Sequence, residues 1–291
     1  MKVLVTGNCG YIGAHVTKLL CEHGYEVHGI DSNTSPLNDV SRYVSKQMHG
    51  SIVHQDVIPR TYDALVHLAA LISVGQSIAD PISYYETNIQ GTINIVESVH
   101  TDHVVFGSSA AAFTPSASPY ALSKFAGEQV VAQACELSRF SNLRFFNVAG
   151  SDGEFYQSGA PTHLVRIAAL MASGKIPQVI INGGDYDTRD GTCIREYIHV
   201  EDVAKAVLAA IESPSTEPFE CITSGVGYSN LEVLWKMREV SGRRFPIKIG
   251  NRREGDPAVL ASPSKSKYVL DEKTLDEICL SAYKYECSTM K

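Results

Sequence analysis

Tyr120 and Lys124 stand four residues apart, directly after Pro119. If this segment is helical, that spacing puts both side chains on one face. A lysine ammonium beside a phenol favours the phenolate and lowers its pKa. A tyrosine tuned in this way serves as a general base near neutral pH. Ser109 follows the apolar run that starts at Val104, at the carboxyl end of an expected strand. From there its hydroxyl can hold or relay the proton of a substrate alcohol. Taken singly, Ser109 reads as a turn residue and Tyr120 as a helix-surface residue. Together they suit removal of a hydroxyl proton.

A second constellation lies at the amino end. Gly7, Gly10 and Gly13 follow the run Lys2 to Thr6 and open an amphipathic segment. In a strand–turn–helix unit, the first glycine allows the tight turn and the second lets backbone approach a pyrophosphate. The third allows close helix packing. The helix amino terminus then offers free N–H groups to the phosphates. Asp31 closes the second strand, where its carboxylate can accept from both ribose hydroxyls. No arginine follows at once to hold a 2′-phosphate, so the cofactor expected is NAD, not NADP. Asp56 is a candidate for the adenine amino group. Ser109 then lies beside the expected nicotinamide, and the two constellations describe one oxidation–reduction site.

The elements needed to position these residues are legible. Strands are expected at Lys2–Thr6, Glu26–Ile30, Ser51–His54, Ala64–Leu68, Val104–Gly107 and Leu143–Asn147. Helices are expected at Tyr11–His23, Ile82–Val99 and Tyr120–Leu137. This alternation predicts a Rossmann-type, doubly wound parallel α/β sheet, with a smaller C-terminal substrate-binding lobe. In that lobe, helices are expected at 163–173, 201–211 and 229–240, and strands at 178–181 and 219–222. Residues 55–63 are too few for the usual helical crossover. Fully extended they still span about 30 Å, so that helix is expected to be absent or vestigial.

The chain has 291 residues and a net charge of −7. An acidic balance is a poor match to nucleic-acid binding, which needs a basic surface. Apolar runs are far short of the roughly 20 residues of a membrane span. The seven cysteines are odd in number and form no C-x-x-C pair, as expected for reduced thiols in the cytoplasm. The histidines form no H-E-x-x-H pair, and no metal is expected.

The segments VTGNCGYIGAH, FGSSAAAF, SPYALSK, LRFFNVAG, GGDYDTRDGTCIREYIHVEDVA and RREGDPA mark a family. The chain resembles the extended short-chain dehydrogenase/reductase family, and within it the UDP-glucose (UDP-galactose) 4-epimerases. The resemblance implies NAD-dependent inversion at C4 of a UDP-hexose through a 4-keto sugar. It implies NAD contacts from Tyr11, Ile12, Asp31, Asn33, Asp56, Val57, Leu68, Ala69, Ala70, Asn88, Ser109, Tyr120, Lys124 and Phe146. It implies UDP-sugar contacts from Ser109, Asn147, His163, Leu164, Arg195, Tyr197, Arg253 and Asp256. Val259 falls on a position lining the sugar pocket, and its small size is compatible with N-acetylated sugars. A homodimer through helices 82–99 and 120–137 is also implied. The division expected is residues 1–149 plus about 201–222 for NAD, and 150–200 with 223–291 for the UDP-sugar.

Some positions depart from the family pattern. Ile72 stands where a lysine is usual and Gly107 where a serine is usual. His163 and Asn182 also replace common choices. The segments after Asp56 and before Tyr120 are short, and the C-terminus is trimmed. Other readings on the same scaffold are a sugar-nucleotide dehydratase, a uronate epimerase, or a non-catalytic NAD or UDP-sugar sensor. Ala110, Ala111 and Ala112 supply none of the carboxylates a dehydratase needs, and no extra cation for a uronate is evident.

Overall fold

The structure is a computed structural model. It describes residues 1–32, 38–54, 61–134, 139–157, 159–253, 256–262, 265–269 and 272–289. In chain order its elements are β1 (Lys2–Thr6), α1 (Tyr11–Glu22), β2 (Glu26–Asp31), β3 (Lys46–His49), β4 (Thr61–Tyr62) and β5 (Ala64–His67). Next come α2 (Val74–Ala79), α3 (Pro81–Tyr85), a π-turn (Glu86–Gln90) and α4 (Gly91–Ser98). They are followed by β6 (His100–Thr101), β7 (His103–Ser109), α5 (Pro119–Ala134) and β8 (Arg139–Phe145). The remainder holds β9 (Asn147–Ala149), α6 (Leu164–Ala172), β10 (Val179–Asn182), β11 (Ile194–His199), α7 (Val200–Glu212) and β12 (Glu220–Ile222). Last are β13 (Gly227–Ser229), α8 (Asn230–Ser241), β14 (Ile247–Gly250), β15 (Val259–Leu260) and α9 (Leu275–Ser288).

Two compact units result. The first comprises Met1–Phe145 and Ala204–Cys221, the second Phe146–Val203 and Ile222–Lys291. The first is built on a seven-stranded sheet in the order β12-β8-β7-β5-β1-β2-β3. The pairs β1–β2, β1–β5, β2–β3, β5–β7 and β7–β8 are all parallel. Central strands such as β5 are buried along their whole length, as parallel strands covered on both faces must be. The order reverses at β1, the switch point where such sheets bind ligands beyond their carboxyl ends. This is the doubly wound architecture the alternating pattern predicts. Leu4, Ile30, Leu65, Ile95, Val104, Phe106 and Val131 share one of its cores.

The boundaries move in places for physical reasons. The third strand is Lys46–His49, not Ser51–His54. As an edge strand it needs few apolar residues. Ile52 instead turns inward beneath Gly91, where a Cβ would lie 2.7 Å from its Cδ1. The link from β3 to β5 is therefore longer than the expected 55–63. Its described residues, 50–54 and 61–63, contain no helix, and residues 55–60 lie outside the described residues. The expected strand Leu143–Asn147 is split. Arg139–Phe145 pairs with β7, whereas Asn147–Ala149 pairs with β11 in another sheet. The helix from Tyr120 is described as far as Ala134.

The second unit has a sheet in which β11 is flanked by β13 and β15 and also pairs with β9. A separate parallel pair joins β10 and β14. The helices α8 and α9 open with complete capping boxes, Ser229 with Glu232 and Thr274 with Glu277. The sequence reading omits α9, although T-L-D-E is the sequence signature of such a cap.

Three histidines of the large sheet, His28, His67 and His103, are buried. Burial, helped by the charge of Lys124, depresses His67 to about 3. Burial and Arg139 depress His103 to about 4. An unfolded histidine takes up its proton near pH 6.5. Below that pH the unfolded chain therefore binds more protons, and stability falls as pH drops toward 4. Urea denaturation is expected to show a lower midpoint at pH 5 than at pH 7.5. His103→Phe should reduce the slope between them.

Candidate active site

The turn after β1 is closed by contact distances that only glycine meets. Gly7 has φ +71°, and a Cβ there would lie 2.8 Å from the Ala69 nitrogen. A Cβ on Gly13 would lie 2.0 Å from the Gly7 carbonyl oxygen. Gly10 is the N-cap of α1, which has no side-chain cap and no acidic residue in its first turn. Tyr11 and Ile12 lead that first turn. Asp31, at the end of β2, accepts from Cys9 N at 3.0 Å. These features fit a dinucleotide pyrophosphate and ribose. Asn33, Asp56 and Val57 lie outside the described residues.

From this turn a chain of hydrogen bonds runs to the tyrosine helix. Thr6 Oγ1 accepts from Leu68 N at 3.2 Å and Ala69 N at 3.1 Å. Its own proton goes to His67 Nδ1 at 2.7 Å. His67 Nε2 donates to Thr92 Oγ1 at 3.0 Å, and Thr92 donates to the Asn88 carbonyl at 2.6 Å. This donor order requires the neutral Nε2–H tautomer, in keeping with the depressed His67. Asn88 sits in the π-turn and grips the Leu71 backbone through both amide atoms, at 2.8 and 2.9 Å. Its Nδ2 also donates to Ser123 Oγ at 2.9 Å, and Ser123 donates to the Tyr120 carbonyl at 2.8 Å. The amide expected to touch NAD is thus a clamp between the 68–71 segment and α5. Ala70 lies within that clamped segment.

Tyr120, Lys124 and Ser109 converge where β7 ends. Tyr120 is buried, and the Ser109 hydroxyl acts on its phenol. Lys124 is buried too, its Nζ donating to the Gly107 carbonyl at 2.8 Å above the Phe106 ring. Ser109 Oγ also accepts from Ala111 N at 3.2 Å, capping a short helical turn. One expectation is corrected. Burial pushes the Tyr120 phenol above the usual tyrosine value; the Ser109 hydrogen bond pulls it back and Tyr84 adds to the rise. Lys124 is shifted by burial too, down to about 8, while Glu128 opposes the fall.

In the second unit, Asn147 and Tyr197 are register partners on β9 and β11. Asn147 Nδ2 donates to the Glu196 carbonyl at 2.9 Å. Arg195 on β11 approaches Asp256 at 3.8 Å, as does the more exposed Arg253. Both arginines therefore share one carboxylate as a local counter-charge. Val259 on β15 pairs with Ile194 and is half exposed. Phe146 is buried. His163 and Leu164 stand at the start of α6. Burial lowers His163, helped by Arg166.

The model of the NAD-dependent epimerase/dehydratase family matches residues 3–221. The chain belongs to this family. A UDP-glucose 4-epimerase of Bacillus subtilis is 31% identical, the alignment covering 100% of this chain and 98% of that protein. That alignment runs over 336 residues, so the relative carries internal segments this family member lacks. A crystal structure of a Bifidobacterium longum UDP-glucose 4-epimerase with NAD⁺ and UDP has TM-score 0.86 and 29% identity, covering 99% of each chain. The UDP-Glc/GlcNAc 4-epimerase of Campylobacter jejuni has TM-score 0.78 and 30% identity, covering 98% of each.

In this epimerase/dehydratase-family chain, the residues that build the site include several the sequence reading omits. Glu128 receives a bidentate pair of bonds from Arg144, both 2.7 Å, and one from Ser108 at 2.5 Å. A signal exists in the sequence: Tyr120, Lys124 and Glu128 recur every four residues, a polar stripe on a face that must be buried. Glu196, between two expected substrate residues, is buried as well and accepts from Thr223, Ser262 and Gly225. No comparable signal marks Thr6, His67 and Thr92, which meet only through the fold.

Asn88→Ala strands the Leu71 N–H and frees the loop from α5. A loss of about 1–3 kcal/mol in urea denaturation is expected, together with faster amide exchange at residues 69–73.

Proposed function

We propose that the chain interconverts UDP-galactose and UDP-glucose by NAD-dependent inversion at C4. The observation that carries this reading is the convergence of buried Tyr120 and Lys124 with the partly buried Ser109 at the carboxyl end of β7. It occurs in a family member whose full-length relatives are UDP-glucose 4-epimerases. NAD, when bound, supplies the acceptor and returning donor for the C4 hydride. Gly7, Gly10 and Gly13 would admit its pyrophosphate to the start of α1, and Asp31 its ribose. Leu68, Ala69 and Ala70 would line its path, with Asn88 holding that segment in place.

Tyr120 takes the proton of the sugar 4-hydroxyl and gives it back once the 4-keto sugar has turned over. Ser109 holds the same oxygen and steadies the phenol. Lys124 supplies the positive charge that favours the phenolate. In the second unit, Arg195 and Arg253 suit the diphosphate, since each guanidinium offers a fork of donors. Asn147, His163, Leu164, Tyr197 and Asp256 complete the expected UDP-sugar contacts. The wider division of labour proposed is NAD on the first unit and UDP-sugar on the second.

Incubation with NAD and UDP-galactose should yield UDP-glucose, and Tyr120→Phe should lower kcat at least about 100-fold. A wild-type protein without conversion, or an equally active Phe variant, overturns the reading. The small, half-exposed Val259 supports extension to N-acetylated UDP-sugars. Turnover of UDP-galactose with none of UDP-GalNAc would remove that extension.

Two further properties belong to the same proposal. The helices at 82–99 and 120–137 are proposed to form a homodimer, supported by exposed Ile82 and Leu122. Light scattering at micromolar concentration should give twice the monomer mass, and a monomer mass overturns the proposal. A cytoplasmic location is supported by the free cysteines 9, 21, 193, 279 and 287. Among the described residues, no helix is long and apolar enough to cross a membrane.

A further inference from the structure

Three consecutive residues of β7 each engage a different turn of α5. Gly107 accepts from Lys124 through its carbonyl. Ser108 donates to Glu128, and the Ser109 hydroxyl acts on the Tyr120 phenol. Glu128 lies one turn beyond Lys124 on the same face, as Lys124 lies one turn beyond Tyr120. Both oxygens of Glu128 are held by Arg144 from β8. The Arg144 guanidinium is in turn stacked over Phe219 at 3.7 Å and Phe113 at 4.5 Å. Glu128 and Arg144 are almost fully buried.

We propose that Glu128 is a positioning residue for the reaction: fixed by Arg144 and Ser108, its carboxylate keeps the Lys124 ammonium charged and in register with Tyr120. The proposal rests on the epimerase reading for its kinetic consequences, but not for its electrostatics. A buried ion pair is a poor device for mere stapling, because apolar residues of similar volume do that as well or better. Its value here is a fixed negative charge one helical turn from a lysine in a dry site.

The surrounding charges make the need explicit. On α5, Tyr120 is neutral in its resting form and Glu128 is negative. From β5, His67 is neutral, so it adds no second positive charge. From β8, Arg144 is positive, and its charge is bound to the Glu128 carboxylate. From α3, Tyr84 meets Tyr120 edge-on, with ring centroids 6.4 Å apart. Burial already brings Lys124 down to about 8, and Glu128 is the group that opposes this fall. Without that carboxylate the Lys124 midpoint would lie lower still, and a larger fraction of the lysine would be neutral at any given pH near it. The phenolate would then lose its partner.

The test uses full-length protein labelled with [¹³Cε]lysine, the Lys124 resonance being assigned by its absence in Lys124→Met. Glu128→Gln should lower the Lys124 midpoint by at least about half a unit, and Glu128→Asp, which keeps the charge, should leave it near wild type. Glu128→Gln/Arg144→Met leaves no unpaired guanidinium buried and serves if the single variant fails to fold; its Lys124 midpoint should also fall. The pH profile of kcat should shift in the same direction in the Gln variants and be rescued in the Asp variant. A Lys124 titration equal to wild type in the Gln variants overturns the proposal. Absence of epimerase activity in the wild type would defeat the functional reading, and the Lys124 titration alone would then decide the role of Glu128.

Discussion

The first unit depends on one small constraint: the hydroxyl of Thr6 at the end of β1. It is bonded three ways, to two backbone N–H groups and to the ring of His67. Those bonds tie the end of β1 to the segment after β5, where backbone passes within contact distance of Gly7. A side chain at Gly7 would force these parts away from each other, and one at Gly13 would collide with the Gly7 carbonyl. The glycine-rich turn is therefore one part of a polar joint at the sheet's switch point, and the joint continues through Thr92 and Asn88 to the helix that carries Tyr120.

Electrostatics then act on a frame that is already set. In the buried pocket at the end of β7, charge is costly. The phenol is pushed toward its neutral form and the lysine toward its own. The site answers with hydrogen bonds to each group, from Ser109 and Gly107, and with a carboxylate one turn away. The order of effects matters. Burial is the largest influence on both Tyr120 and Lys124, and the specific partners moderate it.

Much of this was legible in the residues. The glycine spacing, the Tyr120–Lys124 pair and the alternation of apolar runs report local geometry, and local geometry is what short segments encode. The Rossmann-type sheet followed from them. The edge strand Lys46–His49 was not legible, because a strand paired on one side carries few apolar residues. The split of LRFFNVA between two sheets was hidden because the run is continuous in hydrophobicity. Glu128 was passed over since charged residues on helices usually face water. Only the tertiary contact with Arg144 and Ser108 explains its burial. The clamp made by Asn88 was hidden for the same reason: its partners are distant in sequence.

The chain of bonds from Thr6 to Tyr120 has a definite direction. Each hydroxyl along it spends its single proton on the next acceptor, and the last acceptor is the Tyr120 carbonyl, not its phenol. Proton conduction would need every member to turn round together, and the phenol would still be off the line. The chain is thus a strut and not a wire. It passes on position but no charge, so the ionisation of Tyr120 is insulated from the cofactor turn that the same bonds hold in place.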